Sequence, residues 1–376
     1  MAILNIRMTD RTVGAFTHWA KLKKVLVGSM HPSSYFDEID DAGFRDRMKH
    51  INDETIEDLD NLCKLLRDNE IEVHRTVDVC DTPGVYSAGN LNVVNPRSPY
   101  TPRDFCDFVD NKMMGLMNDN QPTEWFNDYS HHDLFKQLAK QGAQWHQMPK
   151  GHGKDFDEFD YDDDEYPQDI IPIMNASNVT KMGNTFYYSL GGTNNQMGID
   201  WYKNVVGDKV TFKQLSDKKL YYAHVDSRIH VLRPGLFLSE HPKEVVVKNI
   251  PELGKWDCIH LPTGNQSKID EYYGQSEHHF AGEYGGNYNL KDWTGSWLSN
   301  WVDDDVINTN FNINIISVDD NTVILPEANA EYQRLLEKHK VDSVVSRLRH
   351  RLFWGHGLNC FTADILREDE CIDYFL

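Results

Sequence analysis

The sequence predicts an α/β protein. Short apolar runs of strand length alternate with longer stretches at helical spacing along the whole chain, and no obvious linker interrupts the alternation. Hydrophobic residues make up 40% of the 376, enough for a large core, and a single domain over residues 1–376 is the expected organisation. No repeat of fixed period is visible by eye.

The elements follow in order. Lys24-Val25-Leu26-Val27-Gly28 is an apolar run stopped by glycine and reads as a buried strand. Ile51, Thr55, Leu59, Leu62 and Leu66 recur at helical spacing in a charged segment, which predicts an amphipathic helix with Cys63 on its apolar side. Ile71 to Arg75 alternates like a strand. Residues 76–103, broken by Pro83-Gly84, Pro96, Pro99 and Pro102, read as a long loop of the kind that carries function. A helix is expected near 133–144, and strands at 185–189, 228–232, 235–239, 244–248, 311–318 and 321–325. A last helix is expected from Ala328 to His339.

Charge excludes some functions. With 38 Lys+Arg against 59 Asp+Glu the formal charge is −21, and no basic stripe offers a surface for nucleic acid or an anionic membrane. A cationic small molecule is compatible with that field, although salt limits its reach. No apolar run approaches the roughly 20 residues of a membrane span, and the N-terminus has no signal-peptide core. The six cysteines are scattered without a CxxC pair, which reads as reduced, cytosolic usage. Asp155 to Glu165 carries eight acids in eleven positions, but it lacks the glycine and glutamate of a calcium loop and reads as solvated chain.

Dinucleotide-binding, P-loop, HExxH and GxSxG signatures are absent, and His131-His132 and His278-His279 lack partners at metal-ligand spacing. Two stretches carry chemistry. His224 and Asp226 are two apart, so on an extended strand both face one side, as an acid/base and cation-binding pair or as a structural pair. Near the C-terminus, Gly355-His356-Gly357-Leu358-Asn359-Cys360 places a cysteine after a glycine loop. It is a candidate nucleophile or an inert buried thiol.

In combination these stretches resemble the arginine:glycine amidinotransferase family of the guanidino-group-modifying (pentein) superfamily. The resemblance runs over nearly the whole chain. Trp19 to Gly28 looks like the family's W-x-x-L-x-x-V-x-V-G opening strand, and Pro102-Arg103-Asp104 matches its P-R-D. Trp125-Phe126 and Lys140 to Trp145 fit the helix and G-x-x-W that follow. His224-Val225-Asp226, Pro234-Gly235 and Leu238-Ser239 match H-x-D, P-G and L-S, and Asn359 to Asp364 matches the catalytic cysteine segment. Pro326 to Asn329 resembles the D-A-N-E stretch loosely.

The resemblance implies a five-bladed α/β propeller of ββαβ-like modules around a central site, with no metal and no organic cofactor. It implies that Cys360 attacks the guanidinium carbon of L-arginine, that ornithine leaves, and that the amidino group passes from Cys360 to glycine or a similar small amine, giving guanidinoacetate. His224 is the implied acid and base, with Asp226 as its catalytic companion. Asp104 and Asp226 would grip the guanidinium, and Arg103, Asn175, Lys243 and Asn308 complete the implied substrate-binding set. A guanidine hydrolase making citrulline, and a non-catalytic binder of cationic amino acids, are the alternatives. A homodimer is implied by close relatives, and a cytoplasmic location is expected because little sequence precedes the matching region.

One departure stands out. The family carries an acidic D-x-x-D whose first Asp supports the histidine and the guanidinium. Here the stretch is Asn175-Ala176-Ser177-Asn178. Losing a charge-assisted contact costs about 1.5–3 kcal/mol, so an acid comes from elsewhere, activity is reduced, or the substrate differs.

Overall fold

The structure is a computed structural model that describes residues 11–37, 42–78, 85–88, 91–94, 98–117, 129–150, 171–191, 193–217, 220, 224–261, 313–354 and 356–375. Five three-stranded sheets repeat one topology. In the first, β1 (Leu22–Val27) leads through the long helix Ala42–Asp68 to β2 (Glu72–Arg75), which lies parallel to β1. A hairpin of β3 (Val85–Ala88) and β4 (Leu91–Val94) interrupts the span expected to be loop. In the second sheet, β5 (Cys106–Val109) and β6 (Lys112–Gly115) are antiparallel, and the helix His132–Lys140 crosses over to β7 (Gln144–Gln147), parallel to β6.

The third sheet has the same order: β8 (Val179–Met182), β9 (Thr185–Tyr188), the helix Gln196–Val206 and β10 (Thr211–Gln214). So does the fourth: β11 (Ile229–Arg233), β12 (Leu236–Ser239), the helix Lys243–Asn249 and β13 (Asp257–His260). The fifth runs β14 (Ile316–Ser317), β15 (Thr322–Leu325), the helix Ala330–Lys338 and β16 (Asp342–Val345). The last strand, β17 (Thr362–Arg367), returns to pair antiparallel with β1 and completes the first sheet. Each unit is therefore β-β-helix-β. A parallel third strand requires a crossover of helix length.

Each sheet buries one face against its own helix, so the molecule has five apolar cores rather than one. Val25 and Val27 of β1 pack with Leu59, Leu62, Cys63 and Leu66, which places Cys63 in the core as its helix position suggested. Val323 and Leu325 of β15 pack with Tyr332 and Leu336. With the helices outside, the first strand of every sheet is approached by a connecting segment, and those segments carry the polar residues described below.

Four expectations are corrected. Residues 244–248 are helix, not strand. The run Val245-Val246-Val247 has strand propensity, but Val246 and Ile250 are buried at i,i+4 spacing, and the chain needs a crossover here. The helix expected over 133–144 stops at Lys140, because Gly142 adopts φ +100° and turns the chain into β7. His224 is extended, but Val225–Ser227 forms a 3-10 turn instead of continuing a strand. Residues 76–103 contain the β3–β4 hairpin. The acidic run at 155–165, the His278-His279 pair and Asn308 lie outside the described residues. Among the described residues no helix is long and apolar enough to cross a membrane.

Candidate active site

The segments entering β5, β8, β11, β14 and β17, one edge strand of each three-stranded sheet, supply polar side chains to a common centre. Asp104 lies on the short helix Pro102–Phe105 ahead of β5, and Asn175 caps the 3-10 turn Ala176–Asn178 ahead of β8. His224 and Asp226 flank and occupy the turn ahead of β11. Asn314 stands two residues ahead of β14, and Cys360 two residues ahead of β17. All but His224 are at least nine-tenths buried.

The cysteine is held from several sides. The Cys360 backbone N–H donates to Asn314 Oδ1 at 3.1 Å, and Asn314 Nδ2 donates to Sγ at 3.2 Å. Asp226 Oδ2 stands 4.0 Å from Sγ and accepts from Asn359 Nδ2 at 2.8 Å. Burial pushes the Cys360 thiol well above its ordinary range, and the carboxylates of Asp226 and Asp104 push it further; a backbone contact at Gly357 and the Asn314 amide act the other way. Without a cation between the carboxylates, Cys360 is therefore a thiol.

Asp104 is the second carboxylate. Its Oδ2 faces His356 Nε2 at 3.6 Å, and its buried Oδ1 accepts no hydrogen bond from the described residues. Burial opposes its charge, but His356, the nearby charge of His224 and a Thr101 hydrogen bond outweigh burial and hold its carboxyl at about 2. His356 Nδ1 meets the Trp354 carbonyl at 2.6 Å, which turns Nε2 toward Asp104. Trp354 is core: its Nε1 donates to Thr55 Oγ1 at 2.8 Å.

Asn175 shows how the missing acid is replaced. Its Oδ1 accepts from the Ser177 backbone N–H at 2.9 Å and from the Ser177 hydroxyl, and a backbone N–H can only donate, so the amide orientation is fixed. Nδ2 is left facing His224 Nε2 at 3.2 Å. Where a carboxylate would accept from the imidazole, Asn175 donates to it, and the pair is complementary only with the lone pair on Nε2. Thr193 Oγ1 lies 3.5 Å from the same nitrogen. Asn178 turns away: its Nδ2 donates to Thr193 Oγ1 at 2.7 Å and its Oδ1 accepts from Ser189 Oγ at 3.0 Å.

The structure thus brings Cys360, His224, Asp226, Asp104 and Asn175 together. Arg103 sits behind them. Its Nε donates to the Asn359 carbonyl at 2.8 Å and its Nη2 to Asp364 Oδ1 at 3.2 Å, so its fork is committed to the cysteine segment and not to a substrate. Burial works against that guanidinium, and the carboxylates of Asp364, Asp226 and Asp107 outweigh burial. Asp364 also accepts from Arg367 Nε at 2.9 Å. Lys243 begins the crossover helix of the fourth sheet, where its charge acts on Cys258, and no described hydrogen bond or ion pair joins it to the cluster. Asn314, Asn359 and His356 belong to the site although the sequence did not single them out as such. The one signal for Asn314 is a polar residue set between Ile313 and Ile315.

Cys360 thus lies in the field of two buried carboxylates, Asp226 and Asp104, an environment that can hold a cation next to a nucleophile. Comparison with solved structures decides the family of the fold. The inosamine-phosphate amidinotransferase of Streptomyces griseus superposes with TM-score 0.70 at 21% identity, covering 97% of this chain and 99% of that one. The chain has the pentein fold. An amidinotransferase of the saxitoxin pathway from Microseira wollei also scores 0.70, at 17% identity over 96% of this chain and 99% of that one. A dimethylarginine dimethylaminohydrolase shares the fold more distantly, at TM-score 0.54 and 9% identity over 91% of this chain and 99% of that one.

Amidinotransferases are among the curated sequence relatives of this chain. The inosamine-phosphate amidinotransferase 1 of S. griseus is 28% identical over 246 residues, 62% of this chain and 59% of that protein. The corresponding Streptomyces glaucescens protein is 26% identical over 55% of this chain and 50% of its own length, so the match spans about half to three-fifths of these two relatives. The mitochondrial glycine amidinotransferase of Xenopus laevis is 21% identical over 85% of this chain and 71% of that protein. No family model matches the sequence.

Proposed function

We propose that this protein is an amidinotransferase that takes the amidino group of L-arginine onto Cys360 and passes it to glycine or a similar small amine. The observation that carries the reading is the convergence of Cys360, Asp104 and the His224–Asp226 pair from the segments ahead of β17, β5 and β11 onto one centre. Carboxylates hold a guanidinium fork through charge-assisted, bidentate hydrogen bonds. Asp104 Oδ1, buried without a hydrogen bond among the described residues, is an acceptor for one of its N–H groups.

Substrate charge switches the nucleophile on. The cation offsets the carboxylates that hold Cys360 as a thiol, and the thiol proton passes to His224. The Sγ electron pair attacks the guanidinium carbon. His224 then gives a proton to the departing nitrogen, the C–N bond breaks, and ornithine leaves an S-amidino Cys360. In the second half His224 takes a proton from the incoming amine, whose nitrogen attacks the same carbon and releases the thiolate. A lone pair on His224 Nε2 suits the base half of this cycle.

The Streptomyces relatives favour a second acceptor class, the amine of an inosamine phosphate. The test is product analysis by mass spectrometry with arginine alone, with glycine and with inosamine phosphate, beside a Cys360→Ala control. Ornithine plus an amidinated amine, absent in the control, establishes the transferase and names the acceptor. Citrulline in place of any amidinated amine overturns it in favour of hydrolysis.

A further inference from the structure

We propose that Asn314 is a catalytic residue of this site, whose amide donates to the Cys360 sulfur and stabilises the thiolate. The inference rests on the reading of Cys360 as the nucleophile. Three observations lead to it.

The amide orientation is determined, not assigned. Asn314 Oδ1 accepts the Cys360 backbone N–H at 3.1 Å, and that group can only donate. Nδ2 must then be the atom 3.2 Å from Sγ. One side chain thus holds the nucleophile's backbone and its reacting atom together.

The fold gives Asn314 the place that the acting residues occupy elsewhere. Asp104, Asn314 and Cys360 each stand two residues ahead of the edge strand that pairs antiparallel with the middle strand of its sheet (β5, β14 and β17). Asn314 is the fifth sheet's contribution. It is fully buried, where a polar side chain with no role other than packing is costly.

The cysteine segment is shaped around it. A Cβ on residue 357 would lie 2.6 Å from both Cβ and Oδ1 of Asn314 and 2.7 Å from its carbonyl oxygen. Gly357 is therefore what lets the segment close onto the amide. Around Sγ the charged groups are the carboxylates of Asp226 and Asp104, with the Arg103 guanidinium behind them. Asn314 is the described side chain whose hydrogen bond favours the thiolate there.

The test reads Cys360 directly and needs no substrate. Iodoacetamide alkylation of Cys360, followed by intact mass and peptide mapping, is measured across pH for the wild type, Asn314→Asp and Asn314→Ala. A hydrogen bond to a charged group is worth about 1.5–3 kcal/mol. Asn314→Ala should therefore slow alkylation at neutral pH about ten- to hundred-fold and move its midpoint up by about one to two pH units. Asn314→Asp, which keeps the acceptor but replaces the donor by a carboxylate, should move it further. If Asn314→Ala fails to fold, Gly357→Ala, which displaces the amide, gives the deciding profile and should move it the same way. An unmoved midpoint in a folded variant overturns the proposal. If the wild type alkylates with the expected profile but turns over no guanidino compound, the functional reading fails and the role of Asn314 toward the thiolate stands.

Discussion

Replacing Asp226 by asparagine separates two effects that a structural carboxylate would not separate. Asp226 Oδ2 is 4.0 Å from Cys360 Sγ. Two unit charges at that distance repel by about 4 kcal/mol at an effective dielectric near 20, equivalent to a ceiling of about three pH units on the thiol. Asp226→Asn removes the repulsion while an amide oxygen still accepts from Asn359 Nδ2, which now sits at 2.8 Å, so the fold is retained. The free enzyme's Cys360 should become more acidic, and its alkylation at neutral pH should speed up by about ten-fold or more. Turnover should move oppositely. The guanidinium loses a charge-assisted contact worth about 1.5–3 kcal/mol, so kcat/KM for arginine should fall by roughly one to two powers of ten. The assays are the pH profile of iodoacetamide alkylation and ornithine release from arginine. An unchanged or slower alkylation rate in a folded variant refutes the argument that Asp226 keeps Cys360 protonated. Undiminished arginine turnover refutes its role as a cation grip.

Further outcomes follow from the same geometry. Asn175→Asp swaps a donor 3.2 Å from His224 Nε2 for an acceptor, which stabilises the imidazolium; the acid limb of the pH profile of kcat/KM should move up by about one pH unit. Arg103→Gln withdraws a guanidinium from the buried Asp364 carboxylate and from the Asn359 carbonyl, and urea unfolding should show a loss of about 3–5 kcal/mol. Asp104 is held at about 2 in the folded chain against an ordinary 3.8. Its folded value is depressed, so it contributes about 2 kcal/mol above pH 4 that is lost as pH falls toward 2. Urea unfolding at pH 5 and pH 3 should lose that part of its pH dependence in Asp104→Asn.

The sequence displayed the ends of this reasoning better than its middle. Cys360, His224, Asp226 and Asp104 stood in recognisable order, and the exchange of acids for amides at Asn175 and Asn178 was plain. The two amides have since separated: Asn175 faces the histidine, whereas Asn178 serves the turn around Ser189 and Thr193. Arg103 was legible as part of a motif, but its direction was not, because an arginine beside Asp104 can face a ligand or the chain and only the fold chooses. Asn314, Asn359 and His356 gave no local sign of their roles, because each matters through a partner far away in sequence, such as Cys360 for Asn314. The repeated architecture escaped periodic reading because most strands are four residues long and the crossover helices range from 7 to 27 residues. In the fourth sheet a run of valines concealed the crossover helix until Val246 and Ile250 were seen to share a buried face.

The central claim is that Cys360 carries the amidino group between two half-reactions. Its most direct test is to mix the protein with arginine in the absence of any amine acceptor, quench in acid, and map the adduct by tandem mass spectrometry while ornithine is counted. The account predicts an amidino group on Cys360, ornithine released in equal amount, and loss of the adduct on adding the acceptor. Ornithine formed with Cys360 unmodified, or formed equally by Cys360→Ala, would contradict it.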